Sequence, residues 1–359
     1  MAAIRLFDPI TVRNVVFKNR AWVAPMCQYQ ATGQDGLVRE WHRVHYGALS
    51  RGGAGLVMVE ATGVAPEGRI TPLCLGIWND QQAAEFRPII DFAHQQGARI
   101  GIQLAHAGRK ASTYPWMPDS PSGTIDATNG GWPTLAPSAI AFDGLTAPAA
   151  ITLEQIDQVI DAFVAAAARA VAVGFDVLEV HSAHGYLLHE FLSPLSNQRD
   201  DEYGGTLENR SRLLRRIVAA IRHTQPEVLL FVRFSASEWV EGGFDVDETA
   251  VVAEWVSKDG ADLIDISSGG SVATAPIQVR PSYQVPFAEE VKRATGLTVS
   301  VAGLINTASQ AETIVTTGQA DAVCVARAAL RDPHFALNWA KELNVSDVSI
   351  PDSLWRGYA

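Results

Sequence analysis

The amino-acid sequence predicts an α/β protein of the TIM type, a (β/α)8 barrel that forms a single domain over residues 1–359. Three observations support this prediction. Eight short apolar runs have the length of buried strands, helical periodicity follows each run, and no G-x-G-x-x-G dinucleotide turn follows the first run. Alternating strands and helices imply a parallel sheet, and eight repeats favour a closed barrel over the open, doubly wound alternative.

The predicted strands are short apolar runs, and they occupy residues 21–26, 55–61, 99–104, 175–180, 229–234, 262–266, 298–302 and 322–325. Helical periodicity occupies residues 40–50, 80–96, 152–173, 207–223, 247–258, 287–295, 307–318 and 333–343. Two helices begin with a capping box, in which a threonine hydroxyl and a glutamine side chain satisfy free backbone N–H groups. These boxes are Thr152-x-x-Gln155 and Thr307-x-x-Gln310.

Two connections are long, and both leave the carboxyl end of a predicted strand. Residues 111–148 are rich in Ser, Pro, Gly and Thr, and residues 193–212 follow the fourth strand. Loops of this length in a compact domain are usually lids or binding loops, whereas the alternative is a decorative insertion. Because barrel enzymes bind their substrates at this end, we expect a lid, and we treat 111–148 as a loop excursion of the domain.

The bulk composition excludes several classes of function. A formal net charge of −11 disfavours nucleic-acid binding and an anionic membrane surface, since both need basic patches. No apolar stretch approaches the roughly 20 residues that span a bilayer, and the first residues lack the apolar run of a signal peptide. The three cysteines are far apart and show no metal-binding spacing. We therefore expect a reduced, soluble, cytoplasmic protein.

Polar residues occupy the inward-facing positions of several predicted strands. Strand alternation directs Gln103, Glu179, His181, Arg233 and Asp265 into the barrel. A buried charge or amide is costly unless it is paired, so four strands with such residues exceed what packing requires. A structural network, such as Glu179 paired with Arg233, is the alternative for the deeper positions. The residues near the strand ends, where barrels carry out catalysis, are the better candidates for function.

The segment His181-Ser182-Ala183-His184-Gly185-Tyr186 directly follows the fourth strand. Its two imidazoles can donate hydrogen bonds to one oxygen that gains negative charge, and its phenol can give a proton to a carbanion. A metal site with both histidines as ligands is the alternative. The first strand lacks the His-x-His of metal-dependent barrel hydrolases, and the spacing offers no third ligand, so we expect no metal.

The ends of the seventh and eighth strands predict a phosphate site. Barrels often bind phosphate between these two loops, where a glycine allows close approach of the backbone and an arginine grips the anion. This chain has Gly303 after the seventh strand and Ala326-Arg327 after the eighth. The features together suggest a phosphate-bearing cofactor. Cys27, at the end of the first strand, is either an inert buried thiol or a contact to that cofactor.

These residues together resemble the Old Yellow Enzyme family of FMN ene-reductases, and most closely its bacterial thermophilic-like branch with the xenobiotic reductases. The resemblance covers nearly the whole chain. It rests on ordered motifs at residues 6–10, 18–20, 24–29, 103–110, 136–138, 181–186, 191–194, 201–205 and 208–210. The chain departs from the family at Ala326, where glycine is frequent, and at Ser182, which is commonly alanine. Its loop 111–134 is longer than in some members and carries Trp116 and Trp132.

The resemblance implies tightly bound FMN at the carboxyl ends of the strands and NADPH or NADH as the reductant. It implies a cofactor site whose members approach the ring system or the phosphate, namely Ala24, Pro25, Met26, Cys27, Ala61, Gln103, Arg233, Gly303, Ala326 and Arg327. Arg233 would lie near flavin N1, and Cys27 would tune the flavin potential.

The same resemblance implies the reduction of electron-poor alkenes. His181 and His184 would hold the carbonyl or nitro oxygen of the substrate, flavin N5 would deliver hydride to the β-carbon, and Tyr186 would protonate the α-carbon. Tyr29 would also contact the substrate. The branch further implies a homodimer or homotetramer in which Arg356 reaches a neighbouring active site, although a frayed surface position is the alternative for this arginine.

Overall fold

The barrel is closed by eight parallel strands, which the computed structural model describes within residues 5–358. The ends of the predicted domain, residues 1–4 and 359, lie outside the described residues. Each strand pairs with its neighbours in chain order, and the last pairs with the first. The strands β1–β8 are Ala21–Val23, Leu56–Gly63, Arg99–Ala105, Val177–Ser182, Leu229–Ser235, Leu263–Ser267, Val299–Val301 and Ala322–Val325. The TIM-type fold predicted from the sequence is therefore confirmed.

The helices follow the strands as predicted. Their bounds are Glu40–Arg51, Asp80–Glu85, Arg87–Gln95, Leu153–Val173, Leu187–Leu192, Leu207–Thr224, Val246–Asp259, Val285–Thr295, Ala308–Thr316, Arg327–Arg331, Phe335–Glu342 and Trp355–Tyr358. In both predicted capping boxes the threonine side chain accepts the N–H of the glutamine three residues later, Gln155 or Gln310. No helix within residues 5–358 is both long enough and apolar enough to cross a membrane.

The single helix predicted at residues 80–96 is wrong, because the chain forms two helices that meet at Phe86. The cause is Pro88, which lacks the N–H that would bond the carbonyl of Ala84 and whose ring crowds the preceding turn. Strand β1 also ends at Val23 rather than residue 26, because Pro25 cannot donate to a neighbouring strand.

Several short elements were missed in the sequence, among them two helices and a hairpin. Helices Leu187–Leu192 and Arg327–Arg331 begin shortly after the carboxyl ends of β4 and β8. A hairpin, Ile10–Val12 paired with Val15–Phe17, packs Phe17 against Trp22 and closes the amino end of the barrel. A ligand can consequently approach the barrel interior from its carboxyl end.

Candidate active site

The segment after β4 makes a tight turn at the carboxyl end of the barrel. His184 and Gly185 both have left-handed backbones, with φ of 59° and 70°. A Cβ at Gly185 would lie 2.3 Å from the carbonyl oxygen of Gly270, so only glycine fits at this position. The N–H of His184 donates to Ser235 Oγ at 2.9 Å. The turn is therefore packed against the loops that follow β5 and β6.

Three candidate side chains of this segment lie close together, with His181 next to both of the others. The ring of His181 lies 5.1 Å from the ring of His184 and 5.1 Å from that of Tyr186, nearly perpendicular to both. Nδ1 of His181 is buried and has no hydrogen-bond partner among the described residues, which leaves its hydrogen-bonding capacity for a ligand. Nε2 of His184 lies 2.7 Å from Ser267 Oγ.

Burial determines the protonation of these groups. It lowers the pKa of both His181 and His184 well below the usual value, with the Arg233 guanidinium as the next cause. Burial also raises the pKa of Tyr186 well above the ordinary value for a phenol, and the neighbouring Cys27 and Tyr29 add to this shift. At neutral pH the pair of imidazoles is therefore neutral and the phenol retains its proton.

Lys110 joins the turn to the loops around it. Its Nζ donates to the carbonyl oxygens of His184 and Gly270, both at 2.8 Å. The same Nζ lies 5.1 Å from the ring centre of Tyr186. Burial lowers the pKa of Lys110 to about 8. A positive charge beside the phenol would stabilise the phenolate that remains after proton donation.

The polar residues predicted to point inward lie together, but their pairing differs from the expectation. Gln103 Nε2 donates to Glu179 Oε1 at 2.7 Å, and Arg233 Nε lies 3.0 Å from Asp265 Oδ2. The direct ion pair of Arg233 is therefore with Asp265 rather than with Glu179, whose charge also acts on the guanidinium. The reason is strand register, which places Arg233 directly beside Asp265 on β6 and beside His181 on β4.

The segment after β1 forms one wall of the site. Ala24 is buried, and its N–H donates to Val325 on β8 at 3.0 Å, while Pro25 and Met26 are half-buried. Cys27 and Tyr29 pack against the apolar cluster that contains Ala61, as does Tyr186.

Glu60 holds this wall in place and was missed in the sequence. The register of β2 shifts between Val59 and Ala61, a bulge of the kind that re-aims side chains beside active sites. Glu60 Oε2 accepts the N–H of Gln28 at 2.8 Å, and Oε1 accepts the hydroxyl of Tyr46 at 3.0 Å. Burial raises the pKa of Glu60 to about 8. In the sequence, Glu60 is a single glutamate inside an apolar run, and no motif around it indicates a role.

The predicted phosphate residues line one cavity, of about 280 Å³, at the carboxyl ends of β6–β8. Gly303, Ala326 and Arg327 all contribute to its wall, as does His184. The φ of Gly303 is 132°, and a Cβ there would meet the side chain of Gln284 at 3.0 Å. The three phosphate residues are thus brought together, next to the histidine turn.

Arg356 is not part of this group. It is exposed in the last short helix, Trp355–Tyr358, and no hydrogen bond within residues 5–358 connects it to the site. Nor do the described residues contain a group of three or more His, Cys, Asp or Glu side chains that could hold a metal ion.

The comparisons with known proteins all identify oxidoreductases as similar to this chain. The profile of the NADH:flavin oxidoreductase / NADH oxidase family matches residues 5–346. The chain is similar to an NADPH dehydrogenase of Halalkalibacterium halodurans, 44% identical, over 98% of this chain and 99% of that protein. A solved structure of a morphinone reductase is 25% identical, with a TM-score of 0.79, and the match covers 98% of this chain and 93% of that chain. A solved structure of an old yellow enzyme homologue from Zymomonas mobilis is 27% identical, with a TM-score of 0.77, and the match covers 99% of this chain and 98% of that chain.

Proposed function

The chain belongs to the NADH:flavin oxidoreductase / NADH oxidase family, and on this premise we propose that it is an ene-reductase. It is an oxidoreductase of the Old Yellow Enzyme type that uses FMN and NAD(P)H, as the sequence resemblance predicted. The substrate class is the further part of our proposal. We infer that the enzyme reduces the activated C=C bond of α,β-unsaturated carbonyl or nitro compounds.

The residues of the site fit FMN. The cavity beside Gly303 and Arg327 has a close backbone approach and a guanidinium, which suit a phosphate. Arg233 inside the barrel supplies positive charge, and Gln103 supplies an amide. When bound, FMN would supply hydride that originates from NAD(P)H. We assign Ala24, Pro25, Met26, Cys27, Ala61 and Ala326 to the remainder of the cofactor site.

The imidazoles of His181 and His184 are proposed to hold the substrate oxygen. Ser267 Oγ lies 2.7 Å from His184 Nε2 but 3.4 Å from Gln284 Oε1, so its hydroxyl proton is better placed to bond Nε2. A neutral His184 would then carry its own proton on Nδ1 and donate it to the substrate. Hydrogen bonds to this oxygen draw electron density from the alkene and make its β-carbon electrophilic.

Tyr186 is proposed to give the proton that completes the reduction, because its phenol stays protonated beside the imidazole of His181. Tyr29, in the same apolar cluster, would contact the body of the substrate. The observation that carries the proposal is that the ring of His181 lies 5.1 Å from both a second neutral imidazole, His184, and a high-pKa phenol, Tyr186, at the barrel mouth.

The test is a coupled measurement on the purified protein. FMN released by denaturation is quantified, and NADPH oxidation is then followed without oxygen, with and without 2-cyclohexen-1-one. We expect stoichiometric FMN and formation of the saturated ketone. Release of FMN together with NADPH oxidation that never yields saturated product would reject the ene-reductase activity. Activity abolished by a chelator would instead favour a metal-dependent hydrolase built on His181 and His184.

We also propose a homodimer or homotetramer in which Arg356 contributes to the neighbouring active site. Its exposed position at the end of the chain supports this proposal. Sedimentation analysis of the purified protein tests the assembly, and a monomer at assay concentration would reject it.

A further inference from the structure

Asp265 lies between two polar side chains in the interior of the barrel. Its Oδ2 lies 3.0 Å from Arg233 Nε on β5, and its Oδ1 accepts the hydroxyl of Ser300 on β7 at 2.7 Å. Strand register sets both contacts, because Asp265 on β6 is paired directly with Arg233 on one side and with Ser300 on the other. All three side chains are buried. The carboxylate is therefore fixed by Ser300 and can in turn fix the guanidinium.

The contact between Asp265 and Arg233 is an ion pair without a well-aligned hydrogen bond. Among the described residues, neither Arg233 Nε nor Asp265 Oδ2 has a hydrogen-bond partner of good geometry, although the two atoms are 3.0 Å apart. The pair thus holds the guanidinium by its charge and leaves the Nε–H for another acceptor. An unused donor on a side chain that is 5% exposed is costly unless a ligand satisfies it, which agrees with the proposed place of Arg233 in the cofactor site.

Glu179 is a second carboxyl group that competes for the guanidinium. It lies on β4, on the other side of Arg233, two residues before His181, which is paired directly with Arg233. Burial, followed by the charge of Asp265, raises the pKa of Glu179 to about 8, so at neutral pH this group is mostly protonated. Its Oε1 accepts the amide of Gln103 at 2.7 Å. Removal of the Asp265 charge would favour the ionised form of Glu179 and draw the guanidinium toward it.

We propose that Asp265 is a positioning residue that holds the guanidinium of Arg233 at the cofactor site and away from Glu179. Positive charge beside FMN favours the reduced, anionic form of the flavin over the oxidised form. Asp265 would therefore set the reduction potential of the enzyme through Arg233, without contact to the flavin. The inference rests on the proposed assignment of Arg233 to the cofactor site, and it is independent of the alkene substrate.

Asp265→Asn separates positioning from a direct effect of charge. Asparagine keeps the size of the side chain and can accept the hydroxyl of Ser300, but it has no negative charge. If Asp265 acted only by its own charge, its loss would leave more positive charge near the flavin and raise the reduction potential. If Asp265 positions Arg233, the guanidinium turns toward Glu179 and the potential falls. The two explanations thus predict opposite signs.

The experiment measures the midpoint potential of the FMN-loaded enzyme at pH 7 against a reference dye. In Asp265→Asn we expect about a tenfold loss of the preference for reduced over oxidised FMN, the size of one lost charge-assisted hydrogen bond, which lowers a two-electron potential by about 30 mV. Ser300→Ala keeps the charge of Asp265 but removes the hydrogen bond that orients it, so its potential should fall by less. A raised or unchanged potential in Asp265→Asn would overturn the proposal. If that variant does not fold, an unchanged potential in Ser300→Ala would overturn it.

Glu179→Gln is the matched control, because glutamine can accept the same amide of Gln103 but cannot ionise. By itself it should leave the potential close to that of the wild type, since Glu179 is mostly protonated at pH 7. Combined with Asp265→Asn, it removes the alternative partner of Arg233 and should return the potential to the wild-type value or above. A double variant whose potential stays as low as that of Asp265→Asn would overturn the proposal. The expected potentials in a protein that reduces no alkene would reject only the proposed ene-reductase function.

Discussion

His189 Nδ1 accepts the backbone N–H of Gly185 at 2.8 Å, and this bond holds the turn between His184 and Tyr186. Nε2 of His189 faces Glu238 Oε1 at 3.5 Å. Glu238 in turn accepts the N–H of Phe244 at 2.7 Å through its other oxygen. Burial lowers the pKa of His189 to about 4, so the imidazole is neutral and its Nδ1 is free to accept. The active-site turn is thus oriented from behind by a buried carboxylate–imidazole pair.

Replacement of His189 should weaken substrate binding more than flavin reduction. His189→Ala leaves the buried N–H of Gly185 without an acceptor, which costs about 1–3 kcal/mol. We expect a lower free energy of unfolding in urea and a raised KM for the alkene. The rate of flavin reduction by NADPH should change less, because the turn is proposed to contact the alkene oxygen.

His189→Asn is the control, because the amide oxygen can occupy the place of Nδ1 and accept the same N–H. It should recover most of the stability and most of the alkene affinity. If the asparagine variant behaves like the alanine variant in both measurements, the hydrogen bond to Gly185 does not orient the turn.

Tyr186→Phe should separate the two half-reactions. The substitution removes the proposed proton donor but keeps the ring against His181. General acid catalysis is worth about 10²–10⁴-fold, so we expect alkene reduction to slow by about that factor. Flavin reduction by NADPH, measured by stopped-flow absorbance at the flavin band, should stay near the wild-type rate. Equal loss in both half-reactions would mean that the phenol only shapes the pocket.

Lys110 should give alkene reduction a pH dependence near pH 8. The pKa of Lys110 is lowered to about 8, so its ammonium is charged below that pH and neutral above it. Charge beside Tyr186 favours the phenolate left after proton donation, so the rate should fall as pH rises through about 8. The phenol does not titrate in this range, because its pKa is raised well above the usual value.

Two variants isolate this effect. Lys110→Gln keeps a donor to the carbonyls of His184 and Gly270 but has no charge, so its rate should be lower and flat between pH 7 and 9. Glu190, whose pKa burial raises to about 8, and Arg109 also act on Lys110. Glu190→Gln should keep the fall in rate but move it to lower pH, because the Glu190 carboxylate raises the pKa of Lys110. A slope that persists in Lys110→Gln would assign the titration elsewhere.

The sequence predicts those features of the site that depend on the alternation of residues within one strand or on the order of the strands. Strand alternation correctly directed Gln103 and Arg233 inward, and the order of strands correctly placed Gly303 beside Arg327. The residue pattern of one strand is a local property, so alternation suffices for such predictions.

The parts that depend on neighbouring strands or on distant loops could not be predicted. The choice of Asp265 as the partner of Arg233 is set by lateral register, which no single strand encodes. The bulge at Glu60 depends on how β2 meets β3. The backbone hydrogen bond from Ala31 to the carbonyl of Leu73 joins two distant loops, and nothing in either segment alone indicates it. The helix break near Pro88 could have been predicted from the sequence, because a proline inside a helical pattern ends the helix by itself.

Trp132 anchors the loop at residues 111–148, and its loss should release this loop. The guanidinium of Arg69 lies 4.8 Å from the ring centre of Trp132 and 5.2 Å from that of Trp78. Trp132 Nε1 also donates to the carbonyl of Glu67 at 2.8 Å. These contacts tie the loop to the turn after β2, and Trp132 packs on the apolar cluster that Tyr186 also contacts.

Trp132→Ala should therefore make the loop more accessible to protease and raise the KM for the alkene. Loss of a cation–π contact is worth about 0.5–2 kcal/mol, or roughly 2- to 30-fold in affinity. Trp116 is the control, since it lies in the same loop but is 93% exposed, and Trp116→Ala should change neither the cleavage rate nor the KM. Limited proteolysis with mapping of the cut sites measures the first effect, and steady-state kinetics measures the second. Faster cleavage without any change in KM would mean that the anchored loop does not act as a lid over the substrate.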